Sequence, residues 1–240
     1  MPHSIIVSDL HLSPERPRIN QVFLEFAART AAQANAVYVL GDLFDFWVGD
    51  DELADPFNAS VADALRGLSN KGVALHFMHG NRDVLVGPAF VARCGAKLLP
   101  DPTLLDLYGT RTLLMHGDTL CTDDVAYQRF RYIARSPLVQ RLFRCLPLAL
   151  RRALMGRMRA GSEEHKRGAS PEIMDVTQAT VEQVLREHGY PRLIHGHTHR
   201  PARHEHVVDG HRCERWVLTD WYQRGGYLYC DSAGCRAERL

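Results

Sequence analysis

Apolar residues along the first half of the chain follow two rhythms. Short continuous runs occupy residues 4–8 (SIIVS), 36–40 (AVYVL), 73–78 and 111–115 (RTLLM). Runs of this length, bounded by polar residues, predict strands buried on both faces. Between them, apolar positions recur three and four apart. Residues 19–35 place Val22, Phe23, Phe26 and Ala27 at helical spacing, and residues 56–69 read the same way. The alternation continues with a helix over 171–188, Glu172 near its start, and a strand over 192–194. Residues 214–219 and 226–230 predict two closing strands. Strands alternating with helices predict an α/β layered sheet. No internal repeat or low-complexity stretch interrupts it.

Residues 125–162 depart from this pattern. The segment holds nine Arg and no Asp, Glu or Lys. Its arginines are interleaved with Phe130, Tyr132, Ile133, Leu138, Leu142 and Phe143, among other apolar residues. Pro137, Pro147 and Gly156 divide it into short helices. It predicts a helical insertion in a single domain spanning residues 1–240.

Composition narrows the class. Of 240 residues, 45% are hydrophobic and 24% charged, as in ordinary soluble globular chains. The formal charge of +1 provides no global field for nucleic acid, so no nucleic-acid partner is expected. No apolar run approaches the roughly 18 residues that span a bilayer. The start, MPHSIIVSDL, lacks a basic flank and is not expected to be a signal peptide. Six cysteines without a C-x-x-C pair predict neither a disulfide framework nor a zinc ribbon, but a reduced, cytoplasmic protein.

The chemistry collects where strands end. Five predicted strands run into Asp9-Leu10-His11, Gly41-Asp42, Gly80-Asn81-Arg82-Asp83, His116-Gly117-Asp118 and His195-Gly196-His197-Thr198-His199. Sites of α/β sheets form outside the carboxyl ends of strands. Imidazole, carboxylate and amide are the ligand types of mixed N/O metal sites. A single Asp after a strand reads most simply as a turn former or helix cap, and a lone His as a satisfied surface or core residue. Five clusters in one topological position predict a metal centre. Asp9, His11, Asp42, Asn81, His116, His197 and His199 are seven side chains, more than the four to six or so that one divalent ion takes. Two ions sharing a carboxylate fit that number, and two-metal sites suit displacement at phosphorus.

The series D-x-H, G-D-x-x-D, G-N-x-[DE], a lone His and G-H-x-H resembles the calcineurin-like metallophosphoesterases, in the same order. The resemblance implies a β-sandwich flanked by helices, with the Arg-rich insertion as a lid. It implies one ion on Asp9, His11 and His199, another on Asn81, His116 and His197, and Asp42 bridging; manganese is the family's usual ion. GDLFDFWVGDD, HGNRD, MHGDTLCTDD, RMRAGS, IMDV and LIHGHTHRP are similar to the members acting on a lipid-linked UDP-sugar. The implied reaction is hydrolysis of the pyrophosphate of UDP-2,3-diacylglucosamine, in lipid A biosynthesis, by water attack on the α-phosphorus. Asp42, Arg82 and His116 are the implied catalytic set. Asn81, Arg82, Asp124, Tyr127, Ser162, Lys166 and His197 are the implied substrate contacts. A lysine of relatives falls at Ala169, which leaves the basic contact to Lys166 or Arg167.

Arg82 carries independent weight. It stands where many relatives have a proton-donating His, and a guanidinium donates no proton at working pH. A pyrophosphatase needs none, because its leaving group is a phosphate monoester with a pKa of about 6. Arg82 either contacts the second phosphate or pairs with Asp83 or another acid. The insertion suits an anionic membrane surface, a cap over acyl chains, or a hairpin packed on the sheet. The expected location is the cytoplasmic face of the inner membrane, held peripherally. A soluble phosphodiesterase or nucleotide pyrophosphatase acting on a small substrate is the alternative. His195 is read as support behind the ligands, His79 as a strand-end residue, and Asp45 and Asp118 as partners of glycine turns or imidazoles. Asp50 and Asp51 are read as caps of the following helix, and Trp47, Trp216 and Trp221 as core or interface.

Overall fold

The computed structural model describes residues 1–168 and 175–240, and side chains for residues 1–158 and 175–240. In chain order the main elements are β1 (Ser4–Val7), α1 (Pro17–Glu25), β2 (Ala36–Leu40), α2 (Pro56–Asn70), β3 (Ala74–Met78), α3 (Pro88–Cys94) and β4 (Lys97–Leu99). Then come β5 (Thr103–Leu107), β6 (Thr110–Met115), α4 (Val125–Ala134), α5 (Pro137–Arg144), α6 (Leu148–Gly168), α7 (Gln178–Glu187) and β7 (Arg192–His195). The chain closes with β8 (Ala202–Val208), β9 (His211–Val217), β10 (Gly226–Asp231) and β11 (Gly234–Arg239).

These strands form two sheets, ordered β11-β10-β1-β2-β3-β4 and β5-β6-β7-β9-β8. The strand period of two sorts side chains between layers. Ile5, Val7, Val37, Val39, Leu75 and Phe77 face outward onto α1, α2 and α3, in one core cluster with Phe23, Leu65 and Phe90. Ile6, Leu40 and Met78 face inward and meet Leu114, Ile194 and Leu228 between the sheets. Leu113, Met115 and Leu193 face outward from the second sheet onto Val181 and Leu185 of α7. The result is a four-layer sandwich of helix, sheet, sheet and helix, as the family resemblance implies. Periodicity alone points to one layered sheet. It misses the second because a strand covered by another sheet reads the same as one covered by helices.

The tail after Asp209 closes both sheets: β9 pairs with β7, and β10 pairs antiparallel with β1. Helix 19–35 is shorter than predicted; α1 ends at Glu25 and a π-turn and a 3₁₀ turn follow it. Cys230 and Cys235 face one another in the β10–β11 register, Cα atoms 4.2 Å apart, and form a disulfide. The C-x₄-C spacing carries no motif, so the sequence did not signal this pair. Cys94, Cys121, Cys145 and Cys213 are free. No described helix is long and apolar enough to cross a membrane.

The charge of the insertion is partly spent on the sandwich. Arg131 and Arg135 reach the buried Asp118, at 2.7 and 3.5 Å. Arg151 is buried, donates to the carbonyls of Val48 (2.5 Å) and Leu146 (2.9 Å), and pairs with Asp51. Arg152 meets the buried Glu52 at 2.6 Å. Asp51 thus holds α6 rather than capping a helix. Asp50 caps α3, accepting from Gly87, Ala89 and Phe90 N–H, instead of the turn that follows it.

The Arg151 guanidinium holds the Asp51 carboxyl below the ordinary carboxylate range. A group depressed in this way contributes stability above its unfolded value, about 4, and loses it as the pH falls further. In Asp51→Asn, α6 amides should exchange faster than in the wild type at neutral pH, with the difference closing below about pH 4. A difference that does not change with pH would reject the ion pair as the anchor of α6.

Candidate metal centre

The loops leaving β1, β2, β3, β6 and β7 converge at one end of the two sheets. Five of the seven residues singled out there adopt left-handed backbone: Asp9 (φ 56°), His11 (48°), Asp42 (55°), His197 (70°) and His199 (54°). Non-glycine residues rarely take this conformation, and such strain collects at functional sites. The sharp turns aim each side chain inward immediately past its strand. Gly80 and Gly196 are fixed by close approach. A Cβ on Gly80 would collide with the Asp42 carboxylate and backbone, and one on Gly196 with Ser8 Oγ and Asp9 Oδ2. Gly196→Ala should therefore displace Asp9 and weaken divalent-cation binding by about tenfold or more, read by calorimetry. Unaltered affinity would show that the loop yields instead.

The side chains form two groups about Asp42. In the first, His199 Nε2 lies 3.3 Å from both Asp9 Oδ1 and His11 Nε2. In the second, Asn81 Oδ1 lies 3.1 Å from His116 Nε2 and 3.0 Å from His197 Nδ1. Asp42 stands between them, Oδ2 3.9 Å from His11 Nε2 and Oδ1 3.9 Å from His116 Nε2. Donor atoms of Asp9, His11 and His199, and of Asp9, Asp42 and His116, are close enough together to hold an ion. All seven residues are brought together.

The hydrogen bonds show what the pocket lacks. His116 Nδ1 donates to the Leu40 carbonyl at 2.8 Å. In the neutral ring, Nε2 is then a bare lone pair facing the Asn81 oxygen, and only a proton or a metal ion reconciles these two acceptors. Burial favours neutral His116, but the carboxylates of Asp42, Asp118 and Asp9 push its pKa up to about 9. Burial raises the Asp9 carboxyl, yet the imidazoles of His199, His116 and His11 draw it well below its usual range. Asp42 is raised, by burial and by repulsion from Asp9. Such a buried set of carboxylates and lone pairs fits divalent cations.

The supporting residues were less visible in sequence. Asp83 is fully buried and accepts from Leu43 N and Gly80 N, both at 2.8 Å, tying the Asp42 loop to the Asn81 loop. Each Asp83 oxygen thus has a backbone N–H partner. Arg82 N donates to Asp42 Oδ1 at 2.8 Å. His195 is buried behind the centre, bonded to Gly196 O at 2.9 Å and to Arg215 at 3.2 Å. His79 bonds the Val86 carbonyl, as a strand-end residue would. Among the described residues Asp118 accepts from Tyr127 Oη at 2.9 Å and from Arg131, in place of the glycine turn or imidazole expected for it. Asp124 caps α4, accepting from Tyr127 N. Ser162, Lys166, Arg167 and Ala169 lie outside the residues whose side chains are described.

Beside Asn81, Arg82 and His197 opens a cavity of about 790 Å³. Phe46, Val84 and Leu85 line it from the sandwich, and Tyr127, Phe130, Ile133, Val139, Phe143, Met155 and Met158 from the insertion. Asp124 and Arg200 also reach it.

Residues 3–201 match the family model of the calcineurin-like phosphoesterases. A UDP-2,3-diacylglucosamine hydrolase of Aromatoleum aromaticum is 49% identical over 96% of this chain and 94% of its own. Proteins of the same name from Aeromonas hydrophila (98% of both chains) and Xanthomonas axonopodis (99% of this chain, 98% of its own) are 47% and 48% identical. The chain belongs to the calcineurin-like phosphoesterase family, in the group of these hydrolases.

Proposed function

We propose that this chain hydrolyses the pyrophosphate bond of UDP-2,3-diacylglucosamine by water attack on the α-phosphorus. The products are UMP and 2,3-diacylglucosamine 1-phosphate, and the step belongs to lipid A biosynthesis. The observation that carries this reading is a metal-type donor set opening directly into a large apolar cavity capped by an insertion.

In this reading Asp9, His11 and His199 would hold one manganese ion and Asn81, His116 and His197 a second, with Asp42 shared between them. Such a pair supplies a water of lowered pKa and Lewis-acid stabilisation of the phosphoryl oxygens. The rest falls to the protein. His116 is held by the Leu40 carbonyl so that Nε2 faces the centre. Asp42 sets the separation of the two groups. Arg82 lines the cavity beside Asn81 and offers a forked guanidinium to the second phosphate. It neutralises charge on a leaving group that needs no proton. Asn81 and His197 contact the phosphates from the same edge. Tyr127 and Asp124 line the way to the cavity, and Ser162 and Lys166 belong to the same substrate set. The acyl chains fill the cavity, excluding water from the reaction.

Helices α4–α6 form a lid, residues about 125–162, that also docks on lipid. Neither α4 nor α5 contains a buried residue. Tyr132 is 82% exposed, Leu138 66% and Leu142 62%, while Arg129, Arg141 and Arg144 are exposed beside them. Exposed apolar side chains interleaved with arginine suit an anionic surface. These exposed residues support the reading of a protein held peripherally on the cytoplasmic face of the inner membrane.

The test is incubation with UDP-2,3-diacylglucosamine in detergent micelles, with manganese or with a chelator. UMP should appear only with manganese. If a small phosphodiester is cleaved but no UMP forms, the metal centre stands and the lipid substrate falls.

A further inference from the structure

The apolar cavity accounts for one side of the centre. Among the described residues its lining includes Asn81, Arg82, His197 and His199 but not His11, Arg16 or Tyr222. The other side is built differently. The Tyr222 ring lies 5.2 Å from that of His11 and 5.3 Å from that of His199, centroid to centroid. The guanidinium carbon of Arg16, the residue before α1, lies 4.2 Å from the same ring centre. A guanidinium stacked on an aromatic face keeps its in-plane N–H groups for other acceptors. Arg16 Nη1 is buried and has no hydrogen-bond partner, a state that an acceptor oxygen on a ligand would relieve. Tyr222 itself is 39% exposed, at the surface of the centre.

Resting on the reaction proposed above, we propose that Arg16 and Tyr222 seat the uridylate half of the substrate on the side of the centre away from the cavity. The argument is one of direction. The acyl chains take the cavity on the Asn81–His197 side. The two phosphates lie at the centre, so the nucleotide must leave past His11, which the cavity does not reach. There it meets a forked donor that binds phosphate oxygens in pairs and a phenol O–H for a phosphate or ribose oxygen. Both residues bind and orient; neither exchanges a proton or an electron.

Calorimetry on the manganese-loaded, full-length protein tests this with two separate probes, UMP and micellar 2,3-diacylglucosamine 1-phosphate. Arg16→Gln and Tyr222→Leu should each weaken UMP about tenfold and alter the lipid product less than about twofold. Arg16→Lys, which keeps the charge but not the fork, should bind UMP between the wild type and Arg16→Gln. UMP affinity unchanged in both variants overturns the proposal. So does equal weakening of the two probes, which would mean a general effect on the centre. Wild-type protein that releases no UMP from UDP-2,3-diacylglucosamine defeats the reaction instead, and the UMP titrations still decide the seat.

Discussion

Replacing Asp42 by Asn should lower kcat/KM by about a thousandfold or more, with the fold retained. The residue sits between the two donor groups, one oxygen toward His11 and the other toward His116. An amide of the same shape has one oxygen and one N–H₂, so a donor must face one of the groups. The oxygen facing His116 also accepts the Arg82 N–H at 2.8 Å, which favours keeping the amide oxygen there. The N–H₂ then points at the His11 side. Calorimetry should show manganese binding reduced from two ions to one, the lost site being that of Asp9, His11 and His199. In the proposed mechanism Asp42 acts on the attacking water and not on the lipid, so the loss should appear in kcat rather than in KM. An Asp42→Asn protein within tenfold of the wild type would remove Asp42 from the centre of the reaction.

The reason this residue could be chosen from sequence is topological. A strand that ends in a turn delivers the next polar side chain to the sheet edge, and the chain repeats that device five times. Seven such side chains meet in the structure because their strands are neighbours, not because any one residue is unusual. Conversely, the pieces that secure the centre have no local signature. Asp83 bridges two loops through backbone N–H groups that are 40 and 3 residues away in sequence. Arg215 reaches His195 only because β9 lies beside β7. Asp118 reads as a turn residue after a strand, and its real partners are helical arginines of the insertion.

The fold shows the same division. Continuous apolar runs revealed the inner strands, since both faces are covered. β4, β5, β8 and β11 have several exposed positions and no such run, so periodicity passed over them. The insertion was legible as a charged, interrupted helical segment. Its charges were not all destined for solvent or membrane: Arg131, Arg135, Arg151 and Arg152 are bound to acids of the sandwich. Composition counts charges without saying which of them find partners.

Those anchored helices set the second large effect. Introducing an indole at Ala134, which lines the cavity, should lower kcat/KM for the diacylated substrate about a hundredfold. The loss reflects acyl methylenes forced back into water, at about 0.8 kcal/mol each, so displacing three or four of them accounts for it. The effect should grow with acyl length and fade for substrates whose chains are short enough to leave the blocked volume empty. Cleavage of a small chromogenic phosphodiester, which never enters the cavity, should fall far less. That pattern separates occlusion from distortion. If Ala134→Trp disturbed Arg82 or His197, short-chain and small substrates would lose as much as the long-chain one. In that event the cavity would not be the acyl site, and an active site that takes a small soluble substrate would be the better reading of the same metal centre.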